Sequence, residues 1–234
     1  MAPVPRDLTA GRNTAGTART VERALDAAAT TRLLEPHSWA DGATTQELLL
    51  TAFAAAYGDW SGAPTTALRM LHHGRHGLGT GGDLRSTLGW LSIDYPLVLP
   101  TAAAPGQTLL ARVRDRLAAT PRHGYGYGIL RHLAAEPLRR RMRSLPTPEI
   151  NFNYLGREDV AVPRPGQWRP AEERITDRFS PQEDRGSVLQ LRIFVRRGRL
   201  VLELQYSESL HRSRTVASLA DGFARQLTAL LPPR

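Results

Sequence analysis

Two stretches near the C-terminus commit this chain to a sheet with a helix packed on it. Residues 188–195 and 200–206 each alternate apolar with polar side chains, and Arg196 to Arg199, with Gly198 among them, join the two. Successive side chains of a strand point to opposite faces, so period-two alternation on both sides of a short glycine-bearing turn predicts a β-hairpin. The period then changes. After Ser213, the residues Val216, Leu219, Phe223, Leu227 and Leu230 fall on one stripe of a helix. A hairpin with one apolar face and a helix with one apolar stripe must be covered by each other or by more of the chain.

The rest of the chain supplies that cover. Thr44 precedes Glu47 at capping-box spacing, and Leu48, Leu49, Ala52, Phe53 and Ala56 follow at helical period, predicting a buried helix that ends near Gly58. Residues 65–71 and 91–99 read as strands, the second ended by Pro100. Leu109, Leu110, Val113 and Leu117 mark an amphipathic helix that Pro121 stops. Gly124, Gly126 and Gly128, interleaved with Tyr125 and Tyr127, lead into a short helix through Leu133. Residues 149–155 alternate as a strand, and 156–186 read as a long connection dense in Pro, Arg and Glu. Residues 21–34 read as a helix closed by Pro36, and residues 1–20, without apolar period, as a disordered leader before a folded unit over 21–234. Helices alternating with single strands and a hairpin predict an α/β class, an α+β sandwich of helices on a mixed sheet.

Composition removes several chemistries. The chain has 234 residues, 41% of them hydrophobic, and no cysteine, so disulfides, thiolate metal sites and thiol nucleophiles are out. Basic residues number 31 against 22 acidic, a formal +9, and every one of the 31 is arginine. Without lysine there is no Schiff-base or phosphate-loop lysine. Uniform arginine with abundant alanine and glycine reads as a genome-wide bias, and arginines are dense only at 139–143 and 196–199. Neither cluster interleaves aromatic residues for base stacking, which argues against nucleic acid and leaves an acidic protein partner for Arg139, Arg140, Arg141 and Arg143. No apolar run approaches the roughly 20 residues of a membrane span, and residues 1–16 lack the apolar centre of a signal peptide, so a soluble cytoplasmic protein is expected.

The densest polar group is His72, His73, Gly74, Arg75 and His76, at the end of a strand where sites usually lie. Adjacent strand histidines point apart, and no carboxylate falls within the loop before Asp83, so no metal is expected there. General acid or base work by His73, with Arg75 orienting a carbonyl, is the sharper reading. The glycines near Gly124 lack the strand and the distal acid of a dinucleotide fingerprint and read as a packed turn. Asn151 and Asn153 share a strand face opposite Phe152 and Tyr154. They are either hydrogen-bonded within the core or lining a channel.

The run Asp83-Leu-Arg-Ser-Thr-Leu-Gly-Trp-Leu-Ser-Ile-Asp-Tyr-Pro96 resembles a signature of the epimerization domains of nonribosomal peptide synthetases, a branch of the condensation-domain superfamily. His73-Gly-Arg75, Gly124 to Leu130, Ile150-Asn-Phe-Asn-Tyr-Leu-Gly156 and Tyr206-Ser-Glu-Ser-Leu agree in order and spacing. The resemblance implies a chloramphenicol-acetyltransferase-like lobe, one of two that enclose a tunnel, with the family's His-His-x-x-x-Asp-Gly motif in the other. His72-His73 is no copy of that motif, because its aspartate and glycine positions fall on Gly77 and Leu78. It aligns instead with a Glu-Gly-His-Gly-Arg-Glu block, in which Leu71 stands at the glutamate tied to proton transfer. The implied substrate is an aminoacyl or peptidyl thioester on the phosphopantetheine arm of a peptidyl carrier protein, with no cofactor bound directly. His73 would be the catalytic candidate, and Arg75, Trp90, Asn153 and Tyr154 would line the tunnel. A half-domain needing an N-terminal partner lobe or a homodimer, a noncatalytic module that docks carriers or recruits tailoring enzymes, and a truncated gene remnant all fit. In each, the lobe is expected to expose an apolar face that its other half would cover.

Overall fold

A computed structural model describes residues 2–35, 42–75, 84, 86–158 and 179–231. Its frame is one six-stranded mixed sheet. The strands are β1 (Ala18–Ala24), β2 (Thr65–His72), β3 (Ile93–Pro100), β4 (Ile150–Arg157), β5 (Leu189–Arg196) and β6 (Arg199–Ser207), in the order β1-β6-β5-β4-β2-β3. The central strands β2, β4 and β5 run parallel, while β3, β6 and β1 pair antiparallel at the flanks. The predicted hairpin is β5–β6, turning at Arg197 (φ 50) and Gly198 (φ 71).

Helix α1 (Ala27–Leu34) follows β1, α2 (Thr45–Ser61) precedes β2, and α3 (Leu109–Ala118), α4 (Tyr125–His132) and α5 (Glu136–Ser144) lie between β3 and β4. Helix α6 (Ser213–Leu230) closes the described chain. The capping box forms as predicted: Thr44 Oγ1 accepts from the Glu47 N–H at 3.2 Å, and the Glu47 carboxylate accepts from the Thr44 N–H at 2.7 Å. From Leu48 to Tyr57 every side chain except Ala55 is buried, so α2 is a central helix rather than a surface one. It runs past Gly58 to Ser61 because Gly62, at φ 69, supplies the left-handed cap. Gly222 lets α6 approach α2 closely; a methyl there would already be in contact with Ala56 Cβ at 3.5 Å.

The two sheet faces differ. Leu68, Met70, Leu97, Leu99, Ile150, Phe152, Leu189, Leu191, Leu202 and Leu204 are all buried in one core with α2 and α6. The opposite face carries polar rungs. Arg69, Asn151, Gln190 and Gln205 are register partners across four strands, followed by Asn153, Arg192 and Glu203. These side chains are half-buried, and they do not form the apolar face expected for a lobe awaiting its other half. Exposed apolar side chains lie instead just before β3, at Leu88 and Trp90, on α4, its C-cap and α5, at Ile129, Leu130, Leu133 and Leu138, and near the end of β4.

Two expectations for the N-terminus fail. Residues 2–20 are not a loose leader: Val4 is buried, its N–H donates to the Glu149 carboxylate at 2.7 Å, and Asp7 and Leu8 donate backbone N–H groups to Leu210 O. A strap held by backbone hydrogen bonds and one anchor residue needs no apolar period. The folded unit therefore begins well before residue 21, and β1 extends from Ala18, so residues 21–34 are not one helix. Val21 turns inward from β1, and the Asp26 carboxylate, accepting from the Ala29 N–H at 2.7 Å, opens α1 after it. Among the described residues, no helix is long and apolar enough to cross a membrane.

Candidate functional site

β2 and β4, adjacent and parallel, end at the same side of the sheet, where side chains beyond strand termini are free to converge. A cavity of about 650 Å³ opens there, lined by Gln46, His72, His73, Arg75, Trp90, Ser92, Asn153 and Tyr154 among others. All five residues assigned to a site from sequence, His73, Arg75, Trp90, Asn153 and Tyr154, face this one space. None of the described residues lining it is a carboxylate. His76 and Asp83 lie outside the described residues.

The β2 end is shaped by a glycine. Gly74 takes φ 66, and a Cβ there would lie 1.7 Å from Leu91 O, so the backbone must cross the Leu91 strand-entry segment with no side chain between. The turn fixes both histidines. His72 Nδ1 accepts from the Gly74 N–H at 3.2 Å, and His73 Nδ1 accepts from the Arg75 N–H at 3.0 Å, with the two rings 4.3 Å apart. A Nδ1 that accepts leaves the proton of the neutral ring on Nε2. In that tautomer His73 Nε2 can donate a hydrogen bond. The Arg75 guanidinium donates to Thr87 O at 3.3 Å and Gly89 O at 3.2 Å, which ties down the segment that presents Trp90, itself 92% exposed.

The β4 end is shaped by a bulge. Register with β5 shifts between Tyr154 and Arg157, where Gly156 takes φ 71. Asn153 lies on the polar face of β4. It is half-buried there rather than enclosed in the core. Tyr154 packs on the core, and burial raises its phenol above the usual range, with Arg157 pulling the other way, so it stays a donor at neutral pH. Asn151, two residues earlier, faces a different cavity of about 560 Å³ with Arg69, Arg185, Gln190 and Gln205. Its Oδ1 is buried without a hydrogen-bond partner among the described residues. Burial also lowers Arg185, partly offset by Asp184, and its guanidinium donates to Asn13 and Gln205 at 3.1 Å each.

Sequence reading missed Gln46 and Ser92 in the first cavity, and Arg69, Arg185, Gln190 and Gln205 in the second. Gln46 comes from the first turn of α2, far along the chain, and leaves no local signal. Arg69, Gln190 and Gln205 were readable as polar positions of alternating strands, once those strands were known to be neighbours, whereas Arg185 comes from the connection before β5.

The condensation-domain profile matches residues 1–232, including the segment read as a leader. The chain belongs to the condensation-domain family. Chondramide synthase cmdD of Chondromyces crocatus is 36% identical over 228 residues, covering 96% of this chain and 6% of the synthase. Tyrocidine synthase 2 of Brevibacillus parabrevis is 30% identical over 216 residues, covering 91% of this chain and 6% of that protein. Among solved structures, the epimerization domain from the third module of tyrocidine synthetase B superimposes with a TM-score of 0.87 at 28% identity, over 99% of this chain and 51% of that one. The six-stranded mixed sheet with its helices is thus the fold of a condensation-family lobe, and the chain spans about half of that epimerization domain.

Proposed function

We propose that this chain is one lobe of an epimerization- or condensation-type domain in nonribosomal peptide synthesis. In this reading the cavity at the ends of β2 and β4 forms one wall of the channel that receives an aminoacyl or peptidyl thioester. The substrate arrives on the phosphopantetheine arm of a peptidyl carrier protein. The observation that carries the reading is convergence: His73, Arg75, Trp90, Asn153 and Tyr154 come from three separate segments and line one cavity that offers N–H and O–H donors without a described carboxylate. Such a wall suits the carbonyl and amide oxygens of an acyl thioester and its pantetheine arm. It does not suit removal of an α-proton, which needs a positioned base. His73 and Tyr154 then orient the thioester, and Leu71, at the rim, contributes contact but no proton. The acid–base groups come from a second lobe, supplied by an N-terminal partner.

The test is isotope exchange. An aminoacyl carrier protein incubated with this chain in deuterated water is expected to gain no α-deuterium, and adding a protein that bears the His-His-x-x-x-Asp-Gly lobe is expected to restore exchange. Deuterium incorporated by the chain alone and lost in His73→Ala would overturn the division of labour. A second reading, a noncatalytic module that docks carriers or recruits other enzymes, is favoured by the same lack of a carboxylate. It requires that no added lobe restore turnover while carrier binding persists.

A further inference from the structure

We propose that the α4–α5 hairpin is a docking surface for a partner that presents an acidic amphipathic helix. The proposal deepens the carrier reading above, on which it rests for the identity of that partner, while the surface itself follows from four observations.

Neither helix buries a single residue, although each contributes long apolar side chains. Ile129, Leu130, Leu133 and Leu138 are exposed, Leu133 to 78%. Along α5 and its C-cap, Leu138, Met142 and Leu145 recur at i, i+4 and i+7, the spacing of one helical stripe. Soluble surfaces seldom gather large aliphatic residues on one small element unless something covers them.

The charge around the stripe has one sign. Between Tyr125 and Leu145 the only acid is Glu136, against Arg131, Arg139, Arg140, Arg141 and Arg143. Glu136 is engaged by Arg139 and lies 3.9 Å from Arg140. Arg141 and Arg143 have no acidic partner among the described residues. Arginines at i, i+3 and i+4 repel one another along a helix, so an acidic partner would relieve a local cost.

The surface is also preformed. The Arg131 guanidinium donates to Met142 O at 2.9 Å and sits 5.8 Å from the Tyr127 ring centre, which pins α5 against α4. At the root, Gly124 takes φ 85 with its backbone against the Tyr95 ring, anchoring α4 to β3. A hairpin held rigidly at its base while its outer face stays bare is shaped to receive rather than to fold.

The chemistry of the face selects the occupant. A nucleic acid would use the arginines but leave the leucines in water, and the two tyrosines of α4 are half-buried rather than offered for stacking. An anionic membrane would favour interfacial tryptophan or phenylalanine, and this hairpin has neither. Aliphatic residues rimmed by guanidinium groups match an amphipathic helix with leucines on one side and carboxylates beside them.

The experiment uses the whole chain and fluorescence anisotropy. The probes are a helical peptide with leucines at i, i+3, i+4 and i+7 and glutamates elsewhere, its twin with lysine for glutamate, vesicles of phosphatidylserine, and a carrier domain. The glutamate peptide is expected to bind, and to weaken as salt rises. The triple variant Arg140→Glu, Arg141→Glu, Arg143→Glu should bind it at least roughly tenfold more weakly, as expected for charges facing a partner, with its thermal unfolding unchanged. Leu133→Asn should weaken it with no change in salt dependence. The surface is overturned if neither peptide binds, if the lysine twin binds as well, if the triple variant binds like the parent, or if vesicles bind and the glutamate peptide does not. The carrier domain separates the two ideas. If it binds parent and triple variant alike, the carrier reading stands and this surface falls; if the glutamate peptide binds and the carrier does not, the surface stands and the carrier reading falls.

Discussion

The body of the molecule and the α4–α5 hairpin are built from the same kinds of residue, yet they are held by different physics. In the body, α2 is buried nearly all round and α6 along a stripe, against a sheet face of Leu, Ile, Met and Phe. In the hairpin, helices of 8 and 9 residues fully bury no residue and are held by one arginine staple, one glycine contact and Tyr127 packed partly against the core. Helices this short are marginal in water by themselves. The body therefore specifies the fold, and the hairpin is specified by its attachment.

The contrast predicts a wide split between matched truncations. Phe53, fully buried at the centre of α2, is expected to cost about 3–5 kcal/mol when replaced by alanine, the transfer free energy plus the cavity left behind. Leu133→Ala, at an exposed hairpin position, is expected to change stability by less than about 0.5 kcal/mol. Urea unfolding of the two variants measures both. Comparable losses would mean that the hairpin is part of the cooperative core, and the comparison would fail.

The joint between the regions comes next in size. A Cβ at Gly124 would lie 2.1 Å from Cδ1 of Tyr95, and the backbone there has φ 85. Gly124→Ala must therefore move α4 away from a buried tyrosine or distort the turn, at about 1–3 kcal/mol. Most of the loss should appear locally, as faster amide exchange across α4 and α5 with smaller change in α2. Uniform acceleration over the whole chain would show that the joint supports the body as well.

These differences also explain what could be read from the residues alone. Helices α2 and α6 were legible because a capping box and an apolar stripe are local signals. Strand β1 was not, since it has one inward residue, Val21, and its partner β6 lies at the other end of the chain. Of the candidate site, His73, Arg75, Trp90, Asn153 and Tyr154 were recognisable from their motifs, and the structure brings them to one cavity. Gln46 was invisible because only the packing of α2 beside the β2 end places it there. The polar face went unread for a related reason. Arg69, Asn151, Gln190 and Gln205 form a rung only when the strand order is known.

A smaller effect sharpens the contrast on the body's side. The Thr44 hydroxyl and the Glu47 carboxylate satisfy donors at the start of α2, and Thr44→Ala is expected to cost about 1 kcal/mol, the usual value of an N-cap. The loss should be global, because α2 cannot fray without opening the core. A thermal midpoint unchanged from the parent would mean that burial alone holds the helix start.

The smallest effect concerns pH and the seam between β1 and α6. The Arg23 guanidinium donates to Asp221 at 2.5 Å, and this hydrogen bond, with burial opposing it weakly, holds the Asp221 carboxyl below its ordinary value. A carboxylate whose folded pKa lies below its unfolded value of about 3.9 binds protons more readily when unfolded. Its contribution is therefore fully present above that unfolded value and is lost as pH falls through the folded one. Both side chains are more than a third exposed, so solvent screens the pair and the contribution stays within a few tenths of a kcal/mol. Asp221→Asn should leave stability at pH 7 lower by that amount and should flatten the acid limb of the stability curve below about pH 4. Salt should shrink the difference between parent and variant. An acid limb unchanged by Asp221→Asn would show that the seam is held by Val21 and the core alone, with the ion pair contributing nothing to the body that the hairpin lacks.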